Sequence, residues 1–142
     1  RANGIIFRGV RTFRDDRGGR DLGSNTVFAF ELDRIRFVYL GALGHRLTKA
    51  QVQEIGRADV LFVSVGNPRL KAVDWHRAAE ELKARWIVPV AYRTERSGEA
   101  GGLSLDEVDL KDYPFKKVAD SRFLFSRDGL PEKPTLLLLE SP

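Results

Sequence analysis

Three features of the sequence predict a layered α/β (α+β) domain, a mixed sheet with flanking helices. Apolar segments of strand length come first, strand and helix patterns then alternate, and a small β-rich end follows. No Pro/Gly/Ser-rich linker or low-complexity tract interrupts this order, so residues 1–142 read as a single domain. A chain of this size buries roughly two-thirds of the surface its unfolded form exposes. A core is therefore attainable without cross-links, and with no Cys none can form.

The first strand is expected over Gly4–Phe13, where Ile6, Val10 and Thr12 share one side and Ile5, Phe7 and Phe13 the other. Arg14–Ser24 is polar and carries Gly18, Gly19 and Gly23, the composition of a loop. Asn25–Leu32 and Ile35–Leu40 are strand patterns separated by two residues, Asp33 and Arg34, which is the spacing of a tight hairpin. Phe28, Phe30 and Leu32 form one apolar row and Ile35, Phe37 and Tyr39 another. After Gly41-Ala42-Leu43-Gly44, Thr48 and Gln51 have the spacing of a capping box, and Gly56 stops the helix they open.

Asp59–Val65 reads as a strand covered on both faces. A loop at Gly66-Asn67-Pro68 leads to a second helix, Trp75–Arg85, capped by Asp74 with Trp75, Ala78, Ala79 and Leu82 as its inward stripe. Trp86–Tyr92 is a further buried strand in which Pro89 implies an unpaired backbone position. Arg93–Gly102 reads as a loop, and Ser104 with Glu107 opens a short helix ending near Tyr113 and Pro114. The last strands are expected around Arg122–Ser126 and Thr135–Glu140, on either side of a turn at Asp128-Gly129-Leu130-Pro131.

Composition removes several function classes. Without Cys there are no thiolate zinc sites and no cysteine nucleophile. Apolar runs such as Leu136–Leu139 are far shorter than the ~20 residues that cross a bilayer, so no membrane span is expected. The net charge of +4 is concentrated early, where Arg1, Arg8, Arg11, Arg14, Arg17 and Arg20 face only Asp15 and Asp16. Such a basic arm could hold phosphates, which keeps a basic nucleic-acid-binding module as an alternative. No aromatic-interleaved platform accompanies it, which argues against that role. The chain opens at Arg1 and contains no Met, so it is expected to come from a longer polypeptide, and its compartment is left unassigned.

A conventional active site is hard to assemble. The two histidines are His45, closing the Gly-rich turn before a helix, and His76, expected at the surface or half-buried on the second helix. Asp15 and Asp16 are adjacent, so their side chains diverge and do not make a two-acid device. Gly41 and Gly44 lack the Lys-Ser/Thr of a phosphate loop.

The order of motifs nevertheless resembles a known family. Thr12-Phe13-Arg14-Asp15-Asp16-Arg17-Gly18-Gly19, Gly23-Ser24-Asn25-Thr26-Val27-Phe28, Gly41-Ala42-Leu43-Gly44-His45 and Leu47-Thr48 are similar to segments of the metallo-β-lactamase superfamily, in particular its ascorbate-phosphate-lactonase-like branch. Asp59–Gly66, Ile87–Tyr92 and Leu130-Pro131-Glu132 continue the match in order, so the resemblance spans nearly the whole chain.

The resemblance implies the second half of an αββα sandwich, with the N-terminal half that supplies a His-rich motif not contained in this chain. It implies metal ligands where this chain has Arg14, Ala42 and Ala91. A methyl group has no electron pair to donate, and a guanidinium within ~4 Å would repel a cation by several kcal/mol at an effective dielectric near 20. The expectation is therefore a non-catalytic module with no cofactor, a pseudoenzyme serving as a structural or protein-interaction subunit. A protein partner or a homo-oligomer would cover its exposed sheet. The alternative is a zinc- or manganese-dependent hydrolase of a phosphoester or lactone, completed by an absent N-terminal half. Asp15, His45, Asn67 and Tyr92 are the candidates for a residual site.

Overall fold

Alternation of apolar residues with a two-residue connection makes the first half of the chain a three-stranded antiparallel unit. In the computed structural model, which describes residues 5–64, 72–90, 113–119 and 123–139, β1 (Phe7–Phe13), β2 (Ser24–Leu32) and β3 (Ile35–Tyr39) pair consecutively. Asp33 and Arg34 both have positive φ, 52° and 64°, as a type I′ hairpin turn requires. Arg34 adopts this conformation without the freedom of glycine, and the pairing of Leu32 with Ile35 closes the hairpin around it.

The remaining strands are parallel. β4 (Val60–Ser64) lies beside β3, β5 (Trp86–Val90) beside β4, then β7 (Thr135–Leu139), with β6 (Phe115–Val118) outermost. The described residues thus form one mixed seven-stranded sheet in the order β1-β2-β3-β4-β5-β7-β6. Pro89 sits in β5, whose pairing with β7 ends two residues earlier at Ile87, so no ladder bond is broken on that side.

Helices α1 (Lys49–Ile55) and α2 (Ala72–Glu81) cover one face of this sheet. Val10, Val27, Ala29, Val38, Leu61, Val63 and Ile87 project from the strands to meet Ile55, Trp75, Ala78, Ala79 and Leu82. The cap of α1 is as expected: the Thr48 side chain accepts from the Gln51 N–H while the Gln51 side chain accepts from the Thr48 N–H. The α2 boundaries differ from the expectation, for the helix begins at Ala72 and carries Asp74 in its first turn rather than before it. It stops at Glu81 because Lys83 turns left-handed (φ 56°) and the Ala84 N–H reaches back to the Ala79 carbonyl, a Schellman-type close.

The opposite face is aromatic. The rows Phe28/Phe30/Leu32 and Ile35/Phe37/Tyr39 lie on this same face, because Phe30 pairs with Phe37 and Phe28 with Tyr39. Ring contacts run across the strands from Phe7 to Phe30 (5.1 Å), Phe30 to Phe37 (5.1 Å) and Phe37 to Phe62 (6.5 Å). Its central part is covered by the segment 123–131, which packs Phe123, Phe125 and Leu130 onto Trp86, Phe37 and their neighbours. Among the described residues, 123–126 is therefore a crossing segment and not the strand the sequence suggested. The strand near that point is instead β6, whose Lys116 and Lys117 mask it as polar and suit an edge position. The hairpin end of the face stays open, with Phe7, Phe28, Leu32 and Tyr39 each 42–48% exposed.

The helix expected from Ser104, the loop containing Asn67, and Ala91 with Tyr92 lie outside the described residues.

Candidate functional site

β1 and β3 run in the same direction, so their C-terminal ends meet at one edge of the sheet, together with the ends of β4 and β5. Loops leaving the carboxyl ends of strands are where open α/β sheets place their sites. Two such loops, 14–23 after β1 and 40–48 after β3, are packed against each other here. Gly44 permits this approach, since a Cβ on it would fall 1.9 Å from the Arg14 carbonyl oxygen. The Gly44 N–H donates to the Phe13 carbonyl at 2.9 Å.

Asn25, at the start of β2, is the hub beneath the turn. Its side-chain amide donates to the Leu40 carbonyl and the Thr12 hydroxyl, and its Oδ1 accepts from the Ala42 N–H at 3.0 Å. Gly41 passes directly over that oxygen with φ 64°, leaving no room for a side chain. The sequence reading missed Asn25 and Thr12. The available signal was a polar pair at a strand end facing a Gly-bearing turn.

Asp15 and His45 are both at this edge. The Asp15 carboxylate is buried and closes the 14–23 loop: Oδ1 accepts from the Arg17 and Gly19 N–H groups, and Oδ2 from those of Asp21 and Leu22, at 2.7–3.0 Å. These bonds, that from Leu22 foremost, outweigh the opposing effect of burial and hold the carboxyl at about 2. With two donors on each oxygen, its acceptor sites are filled. His45 Nε2 accepts from the Phe13 N–H at 3.0 Å, and its Nδ1 lies 2.7 Å from the Arg46 carbonyl oxygen. An amide N–H can only donate and a carbonyl can only accept, so this pattern assigns the neutral Nδ1–H tautomer.

Arg14 is exposed on its loop, and Ala42 presents a methyl group at the turn. Among the described residues, no three His, Cys, Asp or Glu side chains are grouped closely enough to share a cation. The donors present here, Asp15 and His45, are already committed to backbone partners, so they do not fit a metal centre. His76 differs from expectation: it is buried, neither at the surface nor half-buried, with its ring tilted against Trp75 at 3.9 Å and stacked with Tyr113 at 5.8 Å. The early arginines are partly engaged within the fold, Arg17 with Asp21, Arg8 with the Glu54 carbonyl, and Arg11 over the Phe13 ring. Asp59, buried at the start of β4, pairs with Arg57 and, across the fold, with Arg127.

Comparison with known proteins agrees with this architecture. A family model described as Beta-lactamase superfamily domain matches residues 1–91. A crystal structure of an inferred Zn-dependent hydrolase of the metallo-β-lactamase superfamily from Thermotoga maritima matches with a TM-score of 0.72 and 34% identity. That match covers 97% of this chain and 67% of the other. The chain belongs to the metallo-β-lactamase superfamily. No protein of curated function matches it.

Proposed function

We propose that this chain is a non-catalytic, metal-free member of the superfamily that serves as a structural or protein-interaction module. The observation that carries this reading is the state of the loop edge. Ala42 offers no donor, and the acceptor sites of the Asp15 carboxylate and the His45 ring are turned inward onto backbone N–H groups. The interaction role is supported by the open aromatic end of the sheet at Phe7, Phe28, Leu32 and Tyr39, an apolar patch of the kind that marks a protein contact.

Elemental analysis of the purified protein tests it, alongside assays with phosphoester and lactone substrates. The expected result is substoichiometric zinc and manganese and no hydrolysis that a chelator abolishes. A stoichiometric metal together with chelator-sensitive hydrolysis overturns the reading. That outcome would favour the second one, a metal-dependent hydrolase whose ligands come largely from polypeptide outside this chain. The inferred Zn-dependent activity of the 34%-identical Thermotoga protein supports this alternative.

A further inference from the structure

We infer that His45 is a positioning residue whose imidazole seals the open edge of β1 and ties the two site loops together without a cation. Among the described residues β1 is the outermost strand at its end of the sheet, and no described strand pairs with its outer side. Near the loop edge, the segment following β3 supplies substitutes one after another. The Gly44 N–H takes the Phe13 carbonyl at 2.9 Å, the His45 Nε2 takes the Phe13 N–H at 3.0 Å, and the Gln51 side-chain amide takes the Arg11 carbonyl at 3.0 Å. In this arrangement the imidazole nitrogen stands where a neighbouring strand would present a carbonyl oxygen.

The ring can do this only as an acceptor at Nε2. The Arg46 carbonyl, 2.7 Å from Nδ1, selects that form by claiming the proton on the other nitrogen. The Phe13 ring lies 5.9 Å from the imidazole, tilted by 44°, and closes one side of it. Binding a metal through Nε2 would leave the Phe13 N–H without its acceptor and break the seal. The tie is therefore an alternative to ligation, not a preparation for it. This inference does not depend on whether the intact protein holds a metal elsewhere.

The test is ring-nitrogen NMR of the full chain, with the two histidines assigned by comparison with a His45→Gln variant, combined with amide exchange. At neutral pH the His45 signals are expected to show a protonated Nδ1 and a lone-pair Nε2, unmoved by added Zn²⁺. His45→Ala is expected to speed Phe13 amide exchange by about ten-fold or more while the amides of Val38 and Leu61 keep their protection, a local opening and not global unfolding. His45→Gln, which can present an amide oxygen to Phe13, is expected to restore part of that protection.

A proton on Nε2, a zinc-induced shift of the His45 nitrogens, or unchanged Phe13 exchange in His45→Ala overturns the proposal. Should His45→Ala fail to fold, the wild-type tautomer and its zinc response decide alone. Metal-dependent hydrolysis with unmoved His45 signals would refute the proposed function and leave this tie standing.

Discussion

At the scale of single residues, the loop edge is built from side chains that act as backbone. The Asp15 carboxylate gathers four N–H groups of its own loop, and its ionised form is the one they favour. Its carboxyl is held at about 2 against an ordinary 3.8, so the folded state binds this proton less readily than the unfolded state. The stabilisation from Asp15 is therefore complete above pH 4 and disappears as pH falls through about 2. An Asp15→Asn variant is expected to be less stable than the parent at neutral pH, with the difference shrinking between pH 4 and 2; denaturant titrations across that range measure it. A gap independent of pH would mean that packing, not charge, is what Asp15 contributes.

Among the elements, those governed by local chemistry were readable and those governed by distant contacts were not. Thr48 and Gln51 announce α1 because a capping box lies within four residues, and Thr48→Ala is expected to cost about 1 kcal/mol in a chemical melt. The hairpin was legible from the two-residue spacing alone, even with Arg34 in a conformation better suited to glycine. By contrast, β6 is a strand only because β7 pairs with it, and its Phe-Lys-Lys-Val sequence carries little apolar signal. The segment 123–126 has strand-like alternation, yet the aromatic face beneath it captures Phe123 and Phe125 before any ladder forms. At the site, Asp15 and His45 were legible as chemistry-bearing residues in loops. Their hydrogen-bond partners were not: those of Asp15 depend on how its loop folds back on itself, and the Phe13 partner of His45 depends on Gly44 bringing two loops together from 30 residues apart.

For the whole molecule, the two faces of the sheet have different fates. The helical face is closed, while the aromatic face is covered in its centre by 123–131 and open at the hairpin. Replacing Leu32 and Tyr39 together by Lys is expected to change folding stability by only about 0.5 kcal/mol, because both side chains are already half in water. The same variant is expected to reduce binding of an apolar fluorescent dye and any self-association seen by sedimentation. Unchanged dye binding and association would show that the open patch lies elsewhere.

The Asp59–Arg127 pair has a consequence for the order in which the chain matures. Asp59 is buried at the head of a central strand, and one of its two guanidinium partners arrives 68 residues later. During synthesis β1 to β6 all precede Arg127, and until it is made the ion-pair partner described for that carboxylate is nearby Arg57. The sheet reaches this charge balance once Arg127 has been made and the segment 123–131 laps back across it.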